Sequence, residues 1–354
     1  MKTLFLCSNP RTEASMRFRV LQFLEPLSRA GHEALVSTFF DERKSRWPVR
    51  VARGVARRAR DLGTAMMSAD RIFVHREAFP LSLNVYARGL PSSTPLIFDF
   101  DDAVHLPVGG WRGRLARPES TGNLIARADL VFAGNEYLAE YAAKHSRHVR
   151  IVPTVVDTDR FAPADHRQST KPVVGWVGSP STAKYLEPLL PLLDKLGREH
   201  EFTLRIVGAG RTWRLEHVEV ENRAWSLENE VSAFQDLDVG LYPLVDDAWS
   251  RGKCGFKAIQ YMACGVPFVV APVGVVADIV RDGLDGLWAR TESEWAERLT
   301  ALLKGPELRS RLVTEGRRRA VTHYSVGALA PAWIQALESP REVGSGTGPL
   351  TGMG

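Results

Sequence analysis

The chain has 354 residues, 44% hydrophobic and 25% charged, a balance that excludes collagen-like, coiled-coil and largely disordered organisation, and it is too long for one core of typical size. Its formal net charge of +5 conceals an asymmetry: residues 1–170 carry 25 Lys and Arg against 18 Asp and Glu, the remainder 21 against 23, so the basic excess favours an anionic partner of the first half over nucleic-acid binding by the whole protein. Cys7, Cys254 and Cys264 lack any metal or paired-redox spacing, and no apolar leader or membrane-length apolar run is seen, which predicts a reduced cytoplasmic chain, at most peripheral at the membrane inner face.

Short apolar, β-branched runs at residues 4–7, 34–39, 72–75, 96–100, 130–133 and 151–152 predict strands buried on both faces. The spacers are long enough for crossover helices, so the first half predicts a parallel α/β sheet. The loop after the first strand, SNPRTEA, lacks the glycines of a dinucleotide fingerprint and disfavours a nicotinamide dehydrogenase. Ser15 and Arg17 follow that loop, which makes Arg17 a candidate for an acceptor or donor phosphate, a plain surface arginine being the alternative. Residues 43–60 hold eight cations, and a helix over 43–66 would place Val51, Val55, Ala59, Leu62 and Met66 on one face and Arg50, Arg53, Arg57 and Arg60 on the other. Such a helix either packs on the core with a solvated basic face or docks on an anionic membrane or lipid-diphosphate acceptor. DFDDAVH, residues 99–105, ends the fourth strand, and Asp99, Asp101 and Asp102 are of a type and spacing that also suits a divalent ion.

After a Pro- and Asp-rich stretch at 153–172 the strand series restarts, at 173–177, 204–207, 239–242 and 268–271, which marks a second domain. Two such sheets in tandem predict a cleft between the carboxyl ends of their strands. Gly178-Ser179-Pro180-Ser181-Thr182 follows a strand. Ser179, Ser181 and Thr182 are placed to cap the next helix, with Lys184 within a turn, and an ordinary capped helix is the alternative to an anion site. VGAGR at 207–211 is half a fingerprint and reads as a turn. The stretch RGKCGFKAIQYMACGVPFVVAPVG, residues 251–274, is the most informative. A helix over 256–264 turns Phe256, Ile259 and Ala263 to the core and groups Lys257, Gln260, Tyr261 and Cys264 on another face. Arg251 and Lys253 flank Gly252, and Gly255 allows close backbone approach at the helix start, a combination that favours phosphate over a solvated rim. The histidines show no metal spacing.

KCGFKAIQYMACGVPFVVAPVG resembles the donor-binding helix of the retaining glycosyltransferases of family 4, the glycosyl transferases group 1. DIVRDGLDGLWA resembles the segment that follows it there, and WVGSPSTAKYL, residues 176–186, resembles the phosphate loop opening the second domain. The likeness runs over residues 1–338 and is strongest from 236 to 285. It implies the GT-B fold, an α/β chain of two Rossmann-like parallel-sheet domains facing an interdomain cleft. Residues 1–165 would then be the acceptor domain, 171–322 the nucleotide-sugar donor domain, 323–338 a crossover helix returning to the first, and 339–354 a flexible tail.

The resemblance further implies transfer of a sugar, with retention, from a nucleoside diphosphate sugar to a hydroxyl of a glycan, a lipid-linked or a small-molecule acceptor, as in polysaccharide biosynthesis. It implies no cofactor, no metal and no nucleic acid, because protein cations and helix dipoles neutralise the leaving diphosphate. Its donor ligands would be Gly178, Ser179, Lys184, Arg251, Lys253, Lys257 and Gln260, and its acceptor ligands Ser15 and Arg17. Asp101 falls where many members hold an active-site histidine, so Asp101 or Asp102 is expected to contact the transferred sugar or the acceptor hydroxyl. Gly252 and Gln260 stand where most members carry two glutamates eight positions apart, and Ser179 replaces an arginine. As an amide, Gln260 would bond a ribose hydroxyl without charge assistance. The base-reading loop is expected near 220–227. A nucleotide-sugar epimerase of the same fold and a non-catalytic nucleotide-sugar binding protein are the rival readings.

Overall fold

The structure, a computed structural model, describes residues 1–43, 45–65, 68–80, 93–106, 119–164, 171–342 and 347–350, so the placement expected for Met66 lies outside it. Two compact units result: Met1–Val155 with Gly252–Cys254 and Val326–Gly354, and Val156–Arg251 with Gly255–Ser325.

In the first unit, β1 (Lys2–Cys7), β2 (Glu33–Thr38), β3 (Arg71–His75), β4 (Leu96–Phe100), β5 (Leu130–Ala133) and β6 (Val149–Ile151) form one sheet in the order β2-β1-β3-β4-β5-β6. Every pairing is parallel. The inner strands β3, β4 and β5 are buried at every residue, which is why they read as unbroken apolar runs rather than alternating ones. The order reverses between β1 and β3, and the carboxyl ends of that pair form the switch point at which open α/β sheets receive ligands. The last helix, Val326–Glu338, is built into this core: Trp333 stacks on Phe23 at 4.5 Å and lies 5.6 Å from Phe73.

Two expectations fail here. The helix Trp47–Ala65 forms, but Val55 is 49% exposed, whereas Arg58 is fully buried and donates to the carbonyls of Cys7, Ser37 and Ala78. Arg57 also turns inward, to Thr38 O, Phe39 O and Asp41. Gly54 allows this rotation, since a Cβ there would lie 2.4 Å from the Phe39 ring. The inward face is set by backbone carbonyls of β1, β2 and the loop after β3, whose remaining acceptor capacity Arg58 satisfies. Part of the tail expected to be flexible is also ordered: Ile151 N–H donates to Gly348 O at 3.1 Å and Leu350 N–H to Ile151 O at 3.0 Å, so residues 348–350 cover the edge of β6.

The second unit contains β7 (Val173–Val177), β8 (Thr203–Val207), β9 (Glu219–Arg223), β10 (Val239–Tyr242), β11 (Phe268–Val270) and β12 (Leu287–Trp288), in the order β12-β11-β10-β7-β8-β9. Again all pairs are parallel, and the switch point lies between β7 and β10. Strand β9 occupies residues expected to belong to a base-reading loop. Its sequence, EVENR, is polar because it is an edge strand, tied by the β8 ladder and by Arg205 Nε to Glu221 at 2.8 Å rather than by apolar burial.

Candidate functional site

At the switch point of the first unit, charge is paired in the interior. Arg19 ends the helix Ala14–Arg19, and its guanidinium clasps the Asp99 carboxylate with both forks and donates to Val152 O at 2.7 Å. His75, the last residue of β3, donates from Nδ1 to Asp99 Oδ2 at 2.7 Å, and its Nε2 is buried without a partner. All three residues are at most 3% exposed. An ion pair this deep recovers its desolvation cost only through good geometry and added hydrogen bonds, and both are present here.

The next residue, Arg76, carries φ +59, and among the described residues no other non-glycine has a positive φ. It sits at the centre of a three-residue turn closed by Glu77 N–H to His75 O at 2.8 Å, while its own N–H donates to Asp99 O at 2.7 Å. Backbone held this way costs about 1–3 kcal/mol and persists only where its surroundings impose it. Those surroundings include two adjacent carboxylates: Arg76 Nε donates to Asp101 Oδ1 at 2.6 Å and Nη2 to Asp102 Oδ2 at 2.5 Å. Burial opposes a charge on Asp101, but Arg76, His75 and Arg19 outweigh it and hold this carboxyl well below the usual carboxylate range. Asp102 moves the other way. Burial, seconded by the Asp101 charge, raises it against the pull of Arg76 and Lys253. Two neighbouring carboxylates thus have their proton affinities pushed apart, as in acid–base pairs.

Lys253, expected among the donor ligands, folds with this first unit. The Asn135 side-chain amide donates to Lys253 O at 2.9 Å, and the Cys254 thiol donates to Asp101 O at 3.1 Å. Gly134 and Gly252 permit the approach, since a Cβ on Gly134 would lie 2.2 Å from Cys254 Sγ and one on Gly252 2.6 Å from Ala103 Cβ. Ser15 lies half-buried in the first turn of the helix Ala14–Arg19, and Arg17 is tucked in, with Nε donating to Thr12 O. Arg19, His75, Arg76 and Asn135 were not singled out as site residues. The signal that would have found His75 and Arg76 is a His-Arg pair directly closing an apolar strand.

In the second unit the loop after β7 closes on itself. Ser179 N–H donates to Thr182 Oγ1, Thr182 N–H donates to Ser179 O, and the Ser179 and Ser181 hydroxyls meet at 3.0 Å. No side chain caps a regular α-helix there. The chain enters 3-10 turns at Ala183–Tyr185 and Glu187–Leu189 before the helix Leu190–Leu196, because Pro188 and Pro191 remove N–H donors. Gly178 packs on the Trp176 ring, and its carbonyl leaves no room for a Cβ on Gly208, at 2.4 Å, so the VGAGR turn buttresses this loop. Lys184 is exposed, with Nζ 4.9 Å from the Tyr185 ring centre.

The helix Phe256–Ala263 starts from Gly255 at φ +63 and ends in a Schellman motif, Gly265 N–H to Met262 O and Val266 N–H to Tyr261 O. A crossover helix runs against its strands, so Gly255 and Lys257 start at the carboxyl edge of the sheet, where the loop after β7 also begins. The polar face expected on this helix does not exist as such: residues 258–263 are all buried. Tyr261 is inside because its hydroxyl donates to Leu241 O at 3.1 Å and Gly175 O at 3.4 Å, and Cys264 is buried as well. Gln260 is 3% exposed, whereas Lys257 is half-buried. Arg251 is exposed and forks onto Asp246 at 2.6 and 3.0 Å.

Residues 171–305 match the glycosyl transferases group 1 family. A D-inositol 3-phosphate glycosyltransferase of Geodermatophilus obscurus is 26% identical over 271 residues, covering 66% of this chain and 58% of the relative, so the chain spans under two thirds of that relative's length. Among solved structures, Anabaena HepE, determined with UDP and with UDP-glucose, superposes with TM-score 0.71 for the UDP complex at 17% identity over 96% of this chain and 100% of that one. Sucrose-phosphate synthase from Thermosynechococcus elongatus gives TM-score 0.72 at 15% identity over 96% and 99%. The chain has the GT-B fold.

Proposed function

From a chain whose residues 171–305 form a glycosyl transferases group 1 domain, we propose a retaining glycosyltransferase that moves a sugar from a nucleoside diphosphate donor to a hydroxyl acceptor without a metal ion. The observation that carries the reading is the arrangement at the β7/β10 switch point: a loop of glycine, backbone N–H and hydroxyl groups, and a glycine-led helix start bearing Lys257. Gly178, Ser179, Lys184 and Lys257 would hold the diphosphate, joined by Arg251 once it leaves Asp246. Gln260 would meet the ribose. These groups stabilise charge as it develops on the leaving phosphate, which is the term that matters most in such a transfer. HepE holding UDP and UDP-glucose supports a diphosphate donor.

Asp101 and Asp102, with Lys253, would face the transferred sugar and the acceptor hydroxyl, and Ser15 and Arg17 would contribute on the acceptor side. As in the retaining enzymes the sequence resembles, the departing phosphate would take the acceptor proton on the same face of the sugar. The acceptor would be a glycan, a lipid-linked or a small molecule. Contact with an anionic membrane would use Trp47, Val49 and Val55, large apolar side chains exposed on the helix Trp47–Ala65, together with the exposed Arg60.

A thermal-shift screen with UDP, GDP, ADP and dTDP, followed by transfer assays in chelator, tests the reading. One diphosphate should raise the melting temperature, and no response to any of the four would overturn it. Incubation with donor alone separates transfer from epimerisation, and tight donor binding without turnover over an acceptor panel would favour a binding protein.

A further inference from the structure

We propose that Arg76 is a positioning residue that anchors Asp101 and, through the same guanidinium, presents the carboxylate of Asp102 to the reacting sugar or the acceptor hydroxyl. This rests on the transferase reading above and assigns different tasks to two aspartates that the sequence leaves equivalent.

Three observations carry it. Arg76 holds φ +59 at the centre of its turn, a conformation glycine would adopt at lower cost, so the turn itself does not explain an arginine here. Its single guanidinium reaches both carboxylates, Nε to Asp101 and Nη2 to Asp102, which fixes their relative orientation. The two aspartates are also unequal. The Asp101 side chain is 10% exposed, its backbone carbonyl takes the Cys254 thiol, and it faces Arg76 and His75 from the end of β3 and Arg19 from the helix Ala14–Arg19. The Asp102 side chain is 25% exposed and faces Arg76, Asp101 and Lys253. Asp99, on the same strand, is already taken by Arg19 and His75. With the Arg76 and Arg19 guanidinium groups beside it, Asp101 is held low, and Asp102 is the more accessible carboxylate and the one that burial raises.

The test uses the full chain, its donor identified by the diphosphate screen, and the variants Arg76→Gln and Arg76→Gly. A loss of alignment should lower kcat by about 100-fold. Donor KM should stay within about threefold, because the diphosphate is held elsewhere. The acid limb of kcat/KM should rise by about one pH unit, since two adjacent carboxylates no longer share a guanidinium. Added guanidinium should restore activity to Arg76→Gly. Unchanged kcat, equal losses in turnover and nucleotide binding, or an unmoved pH profile would overturn the assignment. So would failure of Arg76→Gly to fold, because glycine suits this φ and the loss would mark the guanidinium as a structural bolt. A wild-type chain that binds no nucleoside diphosphate would instead sink the transferase reading on which the assignment stands, without any variant being needed.

Discussion

The carboxyl ends of the two sheets carry opposite chemistry. In the first unit Arg19, Asp99, His75, Arg76 and Asp101 neutralise one another inside the protein at hydrogen-bond distance. In the second, glycines, hydroxyls and backbone N–H groups dominate, and the cations Lys184, Arg251 and Lys257 are exposed or half-buried. A network neutralised from within keeps its geometry without a ligand, whereas a hydroxyl-rich loop beside exposed and half-buried cations presents positive charge where an anion can approach. The first arrangement suits orientation of reacting groups, and the second suits gripping a diphosphate.

Removing charge from the first cluster should therefore cost stability, and removing it from the second should cost affinity. Asp101→Asn should destabilise the chain by about 2–3 kcal/mol, because it strips one of two carboxylate partners from a guanidinium that is only 21% exposed. The folded-state value of Asp101 is depressed, so its contribution is complete above the unfolded value and lost as pH falls through the folded one. The gap between wild type and Asp101→Asn in urea denaturation should hold from about pH 5 to 8 and narrow below about pH 4. A gap that widens on acidification would break the contrast.

Lys257→Ala should leave the melting temperature near that of the wild type and weaken nucleoside diphosphate binding by about tenfold or more by calorimetry, the worth of a charge-assisted hydrogen bond. Equal affinity would remove Lys257 from the site. Gln260 sharpens the comparison, being 3% exposed in the same helix that carries half-buried Lys257 at its start. Gln260→Glu should melt lower than Gln260→Leu, since a carboxylate there is desolvated. If the side chain meets a ribose hydroxyl, the same Glu variant should retain more donor affinity than the Leu variant. The smallest effect concerns the thiols. Burial pushes Cys7 and Cys264 up to about 12 and raises Cys254 further, so at pH 8 the native chain should react with a thiol reagent far more slowly than the denatured chain. Rapid labelling of one native thiol would contradict the packing around it.

The strands were legible because each is a short apolar run buried on both faces, and β4, β5, β7 and β10 begin and end where those runs do. Strand β9 was not, because an edge strand needs only one ladder and hides no apolar run. The orientation of the helix Trp47–Ala65 was misread for a similar reason. Periodicity sorts residues by hydrophobicity, but Arg58 earns its buried place from three carbonyls contributed by distant segments. The same limit applies to Tyr261, whose hydroxyl is satisfied only by carbonyls of β7 and β10.

By itself, the sequence determined the parallel α/β class, the restart after residue 171, and the glycine, lysine and aspartate positions that define two candidate clusters, since all of these are local patterns of residue type and spacing. Only the tertiary structure decided which charges are spent on one another. It brought Arg76 to Asp101 and Asp102, Lys253 to the first unit and Gln260 to the interior, because a partner in hydrogen-bond reach is a property of three-dimensional proximity that spacing along the chain does not encode.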